Sequence, residues 1–115
     1  MALHHASAGE VVHLGPLGSD LQSAPTKALV KTDSFEAIRL VLKAGEVLPA
    51  HKVSGQLTLQ CIEGRVEIDL ANKSVELSSH QWIYFDSGAE HGLRALEDSS
   101  LLLTILFPAN GADKT

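Results

Sequence analysis

Two histidines, His51 and His91, hold comparable places in two separate stretches, GEVLPAHKVSGQLTLQCIEG (Gly45 to Gly64) and DSGAEHGLRAL (Asp86 to Leu96). An imidazole accepts or donates a hydrogen bond, takes up a proton near neutral pH, and is the commonest metal ligand among side chains. A pair of them opens three chemistries: coordination of a metal, transfer of a proton, or polar recognition of a small molecule. The neighbours decide between these. Val53 and Leu57 follow His51, and neither carries a donor atom. Leu59 and Leu93 share the faces of Leu57 and His91 and continue the apolar character.

The elements around these stretches are strands. Ile38, Leu40 and Leu42 alternate with Arg39, Val41 and Lys43, and Val66, Ile68 and Leu70 alternate with Arg65, Glu67 and Asp69. Strict period-two patterning of this kind belongs to strands with one wet face. Ala44-Gly45-Glu46, Glu63-Gly64, Ala71-Asn72-Lys73 and Asp86-Ser87-Gly88 read as turns. Leu101 to Phe107 is nearly all apolar and reads as a central strand covered on both faces. Val11 to Leu14 reads as a further short strand, and a turn of helix is allowed from Asp20. The spacing predicts about eight to ten strands, no long helix, and an all-β sandwich or barrel. Met1 to Gly9 and Ala109 to Thr115 read as tails flanking a single domain over 10–108.

Composition narrows the classes of function. The 115 residues carry a net charge of −5, with nine basic residues scattered singly, which speaks against a nucleic-acid partner. No apolar run reaches the length of a membrane span, and the N-terminus lacks the pattern of a secretion signal. A single cysteine, Cys61, forms no internal disulfide, which fits a cytoplasmic location.

On these residues the chain resembles the small single-domain cupins, whose fold is a double-stranded β-helix, or jelly-roll barrel, of the RmlC-like type. The first cupin motif spaces Gly, His, His, Glu and Gly; here Gly45, His51 and Gly64 match, while Val53 and Leu57 stand at the second His and the Glu. The second motif spaces Gly, Pro, Gly, His and Asn; here Gly88 and His91 match, while His80, Asp86 and Ala95 stand at the other places. The resemblance covers roughly Ala28 to Phe107, and two of its four ligand positions survive.

The resemblance implies a barrel whose interior receives His51 and His91. Catalytic zinc sites keep three protein ligands and non-haem iron sites two histidines with a carboxylate. With only two imidazoles and aliphatic neighbours, no cofactor is expected. The first reading is therefore a non-enzymatic barrel binding a small organic molecule, with a sensor domain as a variant of it. The alternative is a metal-dependent enzyme, a dioxygenase or isomerase. In that case Fe, Mn, Ni or Zn is held by His51 and His91, with Gln56 or water completing the shell. Gln56 faces away from Leu57 on a regular strand, and a bulge at Ser54-Gly55 is needed to swing it inward. A metal-free epimerase-like route needs a carboxylate behind His51, and none faces inward by parity. Trp82 and Tyr84 share one face and serve either as core or dimer contact, or as a pocket wall beside His91. Small cupins pair as homodimers, and Val11 to Leu14 and Lys27 to Thr32 are the candidate edges for such a contact.

Overall fold

In the computed structural model, which describes residues 5–108, nine strands follow a short 3-10 helix at Gly18–Ser23. They are β1 (Lys27–Lys31), β2 (Phe35–Leu42), β3 (Val47–His51), β4 (Leu57–Glu63), β5 (Arg65–Leu70), β6 (Ser74–Ser78), β7 (Trp82–Phe85), β8 (His91–Ala95) and β9 (Ser99–Leu106). A five-stranded sheet in the order β1-β2-β9-β4-β7 faces a four-stranded sheet in the order β3-β8-β5-β6, and every pairing is antiparallel. The all-β class expected from the alternation, and the jelly roll implied by the resemblance, are the architecture observed. No helix among the described residues is long and apolar enough to cross a membrane.

Alternation decides which residues meet between the sheets. Register sets Leu40 beside Leu101, Leu101 beside Cys61, and Leu59 between Leu103 and Ile83, all on the inner face. From the opposite sheet come Val66, Ile68, Leu77 and Leu93. Cys61, Val66, Ile68 and Leu101 are wholly sealed from water. Burial pushes the Cys61 thiol up to about 11, against the backbone contact at Glu63, which lowers it. That places the residue in the core as a small hydrophobe and removes it from nucleophilic chemistry.

The first stretch of the chain departs from expectation. Val11 to Leu14 forms no strand: it belongs to an extended segment that lies over the outer face of the five-stranded sheet. Two charged side chains hold that segment down. Arg39 is buried, and its Nη2 donates to the carbonyls of Leu14 and Gly15. Glu63 accepts from the backbone N–H groups of Leu17 (2.8 Å) and Gly18 (3.1 Å) and from the Ser100 hydroxyl. The segment therefore draws its hydrogen bonds from side chains rather than from a ladder, which period-two reasoning does not anticipate. Further back, Ala6 N–H donates to Leu29 O, so the outer edge of β1 is partly occupied by the chain itself. The 3-10 turn at Gly18–Ser23 contains the residues expected to turn at Asp20. The C-terminal tail from Ala109 lies outside the described residues.

Strand β9 is central, as its apolar run implied, but its cover is one-sided toward its end: Leu106 is 42% exposed. It also begins earlier than expected, because Ser99 and Ser100 are buried and bonded, Ser99 Oγ to the backbone of Arg65 and Glu97.

Two glycines close turns with different demands. Gly45 (φ +89°) has open space where a Cβ would sit, whereas at Gly64 (φ +88°) a Cβ would lie 2.4 Å from Asp98 O and 2.7 Å from Ser99 Cα. Left-handed backbone costs a non-glycine residue roughly 1–2 kcal/mol. Gly45→Ala is expected to lose about that amount, and Gly64→Ala at least about twice as much, because the backbone of the neighbouring turn must also move. Urea unfolding of the two variants side by side checks the order.

Candidate functional site

His51 ends β3 and His91 opens β8, and the two are register partners across the antiparallel pair. Cross-strand partners project from the same face, so the ladder itself brings the two rings together. Their centroids are 4.8 Å apart with the ring planes tilted by 51°. On its other side His91 stacks on Phe85, at 4.6 Å and 12°. Phe85 ends β7, so His91 is held between the two sheets while His51 stands exposed at the mouth.

The tautomers follow from the partners. His51 Nδ1 lies 3.0 Å from Pro49 O and His91 Nδ1 lies 3.2 Å from Ala89 O. A carbonyl only accepts, so Nδ1 carries the proton in each neutral ring and Nε2 keeps its lone pair. No other hydrogen bond reaches either ring among the described residues. Both Nε2 atoms are therefore open acceptors at the site.

Below the pair is a cavity of about 50 Å³. Val53, Leu57 and Leu59 line one side, Leu93 and Ile68 the other, and Phe85 with Leu103 and Ile105 complete the wall. The residues named from the sequence divide cleanly here. His51, Val53, Leu57, Leu59, His91 and Leu93 come together around the cavity. Trp82 and Tyr84 do not: they are 59% and 52% exposed on the outer face, their rings 6.2 Å apart. The wall beside His91 is made instead by Phe85, of the opposite parity on the same strand. The clue was in β4: Leu57 pairs with Phe85 and Thr58 with Tyr84, so whichever strand neighbours β4 must point its Leu57 partner inward.

Gln56 is also placed elsewhere. It is exposed at the rim, where its Nε2 reaches Asp86 Oδ1 at 3.3 Å, and its backbone carbonyl accepts from Leu106 N–H. The preceding Gly55 packs so closely on β9 that a Cβ would fall 1.7 Å from Leu106 O. That contact fixes the bend and directs Gln56 away from the histidines. His80 is a turn residue with φ +73°, its N–H bonded to Cys61 O, and stands apart from the site. Asp86 and Glu90 are exposed turn residues.

Among the described residues no three of His, Cys, Asp and Glu gather in a metal-holding group. An ion between the Nε2 atoms of His51 and His91 meets aliphatic carbon on its remaining sides, where its hydration shell finds no partner. The donor set does not fit a cupin metal centre.

No family model matches the chain, and no curated protein resembles it in sequence. Solved structures do resemble it in shape. A cupin superfamily protein from Desulfitobacterium hafniense superposes with a TM-score of 0.71 at 14% identity, over 73% of this chain and 77% of that one. An RmlC-like protein from Methanocaldococcus jannaschii, described as a double-stranded β-helix, gives 0.70 at 16% identity, over 85% and 93%. The chain has the cupin fold. A conserved protein of unknown function from Streptococcus pyogenes matches over 94% of this chain and 98% of its own length, with a TM-score of 0.73 at 20% identity.

Burial holds the His91 imidazole below its ordinary range, the neighbouring His51 adds to this, and the Ala89 carbonyl opposes it. The unfolded chain then takes the proton more readily than the folded one, so stability rises with pH through this interval and falls as pH drops below about 6.5. Burial would raise the Glu63 carboxyl, but the bonds from Leu17, Ser100 and Gly18 and the charge of Arg39 together lower it. Its contribution is present above its ordinary value near 4.5 and is lost at lower pH. Urea unfolding across pH should show a two-part acid loss. His91→Gln is expected to remove the part that begins near pH 6.5 and leave the part below about pH 4.5.

Proposed function

We propose that this cupin is a non-enzymatic binding barrel for a small organic molecule with a hydrogen-bond donor at one end and an apolar remainder. The observation that carries the reading is the pairing of two outward-bonded imidazoles with a cavity wall of aliphatic and aromatic carbon. A neutral imidazole whose Nδ1–H is committed to a carbonyl offers its Nε2 lone pair, which suits a hydroxyl, a phenol or a protonated acid. The lowered affinity of His91 for protons keeps that ring neutral at physiological pH.

Size bounds the ligand further. At about 50 Å³ the enclosed space is a third of the roughly 150 Å³ cavity that accepts benzene in an engineered protein. Only a short aliphatic group fits beneath the histidines, and the polar end sits at the mouth beside the exposed His51. Burying such a group contributes roughly 0.8 kcal/mol per CH₂, so affinity in the millimolar to high micromolar range is expected for a ligand of a few carbons.

A thermal-shift screen of short alcohols, phenols and small carboxylic acids tests the reading. Stabilisation by at least one class is expected, strongest above pH 6.5 for the neutral donors, and lost in Val53→Trp, which fills the cavity from its wall. A screen in which none of these raises the melting temperature defeats the proposal. The competing reading, a metal-dependent enzyme, is tested by elemental analysis of untagged, chelator-washed protein. About one equivalent of a transition metal that disappears in both His51→Ala and His91→Ala would establish it instead.

A further inference from the structure

Two cations stand side by side on the outer face of the five-stranded sheet. Lys27 on β1 and Arg39 on β2 are register partners and line the same hollow. Thr26 fixes that register: its Oγ1 accepts from Val41 N–H at 2.9 Å and donates to Val41 O at 3.3 Å. Like charges set directly opposite one another across a ladder repel and cost stability. Among the described residues neither Lys27 nor Arg39 has a carboxylate within ion-pair reach.

Arg39 is the more demanding of the two. It is 9% exposed, and a guanidinium is rarely buried without an anion beside it. Its Nη2 donates to the carbonyls of Leu14 and Gly15, which satisfies hydrogen bonds but leaves the positive charge without a counter-ion. Its Nη1 has no acceptor among the described residues, and its Nε is sealed from water with none. Glu63 lies near enough for the two charges to act on each other, but its oxygens are taken by the N–H groups of Leu17 and Gly18 and by the Ser100 hydroxyl. Clamping the N-terminal segment therefore accounts for one nitrogen of Arg39 and leaves the others unexplained.

The hollow that Lys27 and Arg39 share lies between the N-terminal segment and the sheet and measures about 240 Å³. Val12, Leu14 and Leu17 wall it from the segment and Leu29 from β1, with exposed His13 beside them. None of its lining residues belongs to the barrel cavity under His51 and His91.

We propose that this hollow is a second binding site, one that takes a small organic carboxylate. The anionic end lies against Lys27 and Arg39, and the hydrocarbon lies along the leucines. The cation pair selects charge, since an anion relieves the repulsion between the two and gives the buried guanidinium its counter-ion. The aliphatic wall selects the rest of the molecule: a fully hydrated anion such as inorganic phosphate finds no hydrogen-bond partner there. Size agrees, because the space exceeds the roughly 150 Å³ that accepts benzene in an engineered protein, so a carboxylate carrying one ring fits.

Titration calorimetry with sodium benzoate at about pH 7.5, where the acid is ionised, tests the proposal. The Val53→Trp protein is the one to titrate, because its barrel cavity is filled and ionised benzoate has no proton to give the barrel histidines. One saturable site per chain is expected, with benzyl alcohol and inorganic phosphate each bound at least ~10-fold more weakly. The Lys27 side chain makes no hydrogen bond or ion pair among the described residues, so Lys27→Gln should fold normally. It is expected to weaken benzoate by ~10-fold or more, and Lys27→Arg to retain it. The same loss is expected when Lys27→Gln is made in the otherwise wild-type protein, so the result does not hang on the folding of Val53→Trp. Absence of saturable benzoate binding overturns the proposal, as does binding that Lys27→Gln leaves unchanged. Phosphate bound as tightly as benzoate also overturns it, since that marks a site for any anion. Failure of the barrel reading is a separate result, seen with neutral alcohols and phenols in the protein that keeps Val53.

Discussion

Where the inner face of the five-stranded sheet meets that of the four-stranded sheet, Cys61, Val66, Ile68 and Leu101 lose all contact with water. At roughly 25 cal/mol per Å² of apolar surface, this contact is the main favourable term available to a chain with few aromatic side chains and no disulfide. Everything functional depends on how completely it closes. The seal is tight around Leu101 and Cys61 and incomplete toward His51, where β3 ends and its residues are exposed. The cavity is the space left at that end, and its walls are the continuation of the core rows.

Because the cavity grows out of the core, its chemistry is that of the core with two polar additions. His51 and His91 are brought together by register rather than by a loop, so their spacing is as rigid as the β3–β8 ladder. Phe85 supports His91 from the opposite sheet and fixes the ring plane. The backbone takes Nδ1 of both rings, leaving one nitrogen each to meet an occupant. Cupin architecture is thus kept while two of the donors associated with its metal centres are replaced by Val53 and Leu57.

The outer surfaces follow a separate logic. Arg39 and Glu63 are the charged residues that the five-stranded sheet places under cover, and both are spent on backbone groups of the N-terminal segment. Each of those bonds is charge-assisted, worth more than a neutral pair, and each would leave a poorly solvated charge if the segment lifted. The segment is therefore part of the domain. Beyond it Trp82, Tyr84 and Leu106 stand exposed, while the other sheet carries the linked ion pairs of Arg65 and Arg94 together with exposed Val47.

Period-two alternation from Phe35 onward, with glycine at the tight turns, was enough to determine strands, turns and an all-β sandwich or barrel, because strand formation and turn chemistry are local. The jelly roll itself was implied by the resemblance to cupins. The resemblance carried by Gly45, His51, Gly64, Gly88 and His91 implied that both histidines and their aliphatic neighbours face inward. Which residues oppose one another was not local. Parity says that Trp82 and Tyr84 share a face and that Ile83 and Phe85 share the other, but only the pairing of β7 with β4 says which face is inside. Gln56 turned on the contact of Gly55 with Leu106, some fifty residues further along, and the course of Val11 to Leu14 on Arg39 and Glu63. A strand carries its periodicity within itself, whereas its neighbours, and so its inside and outside, exist only once the sheets have closed.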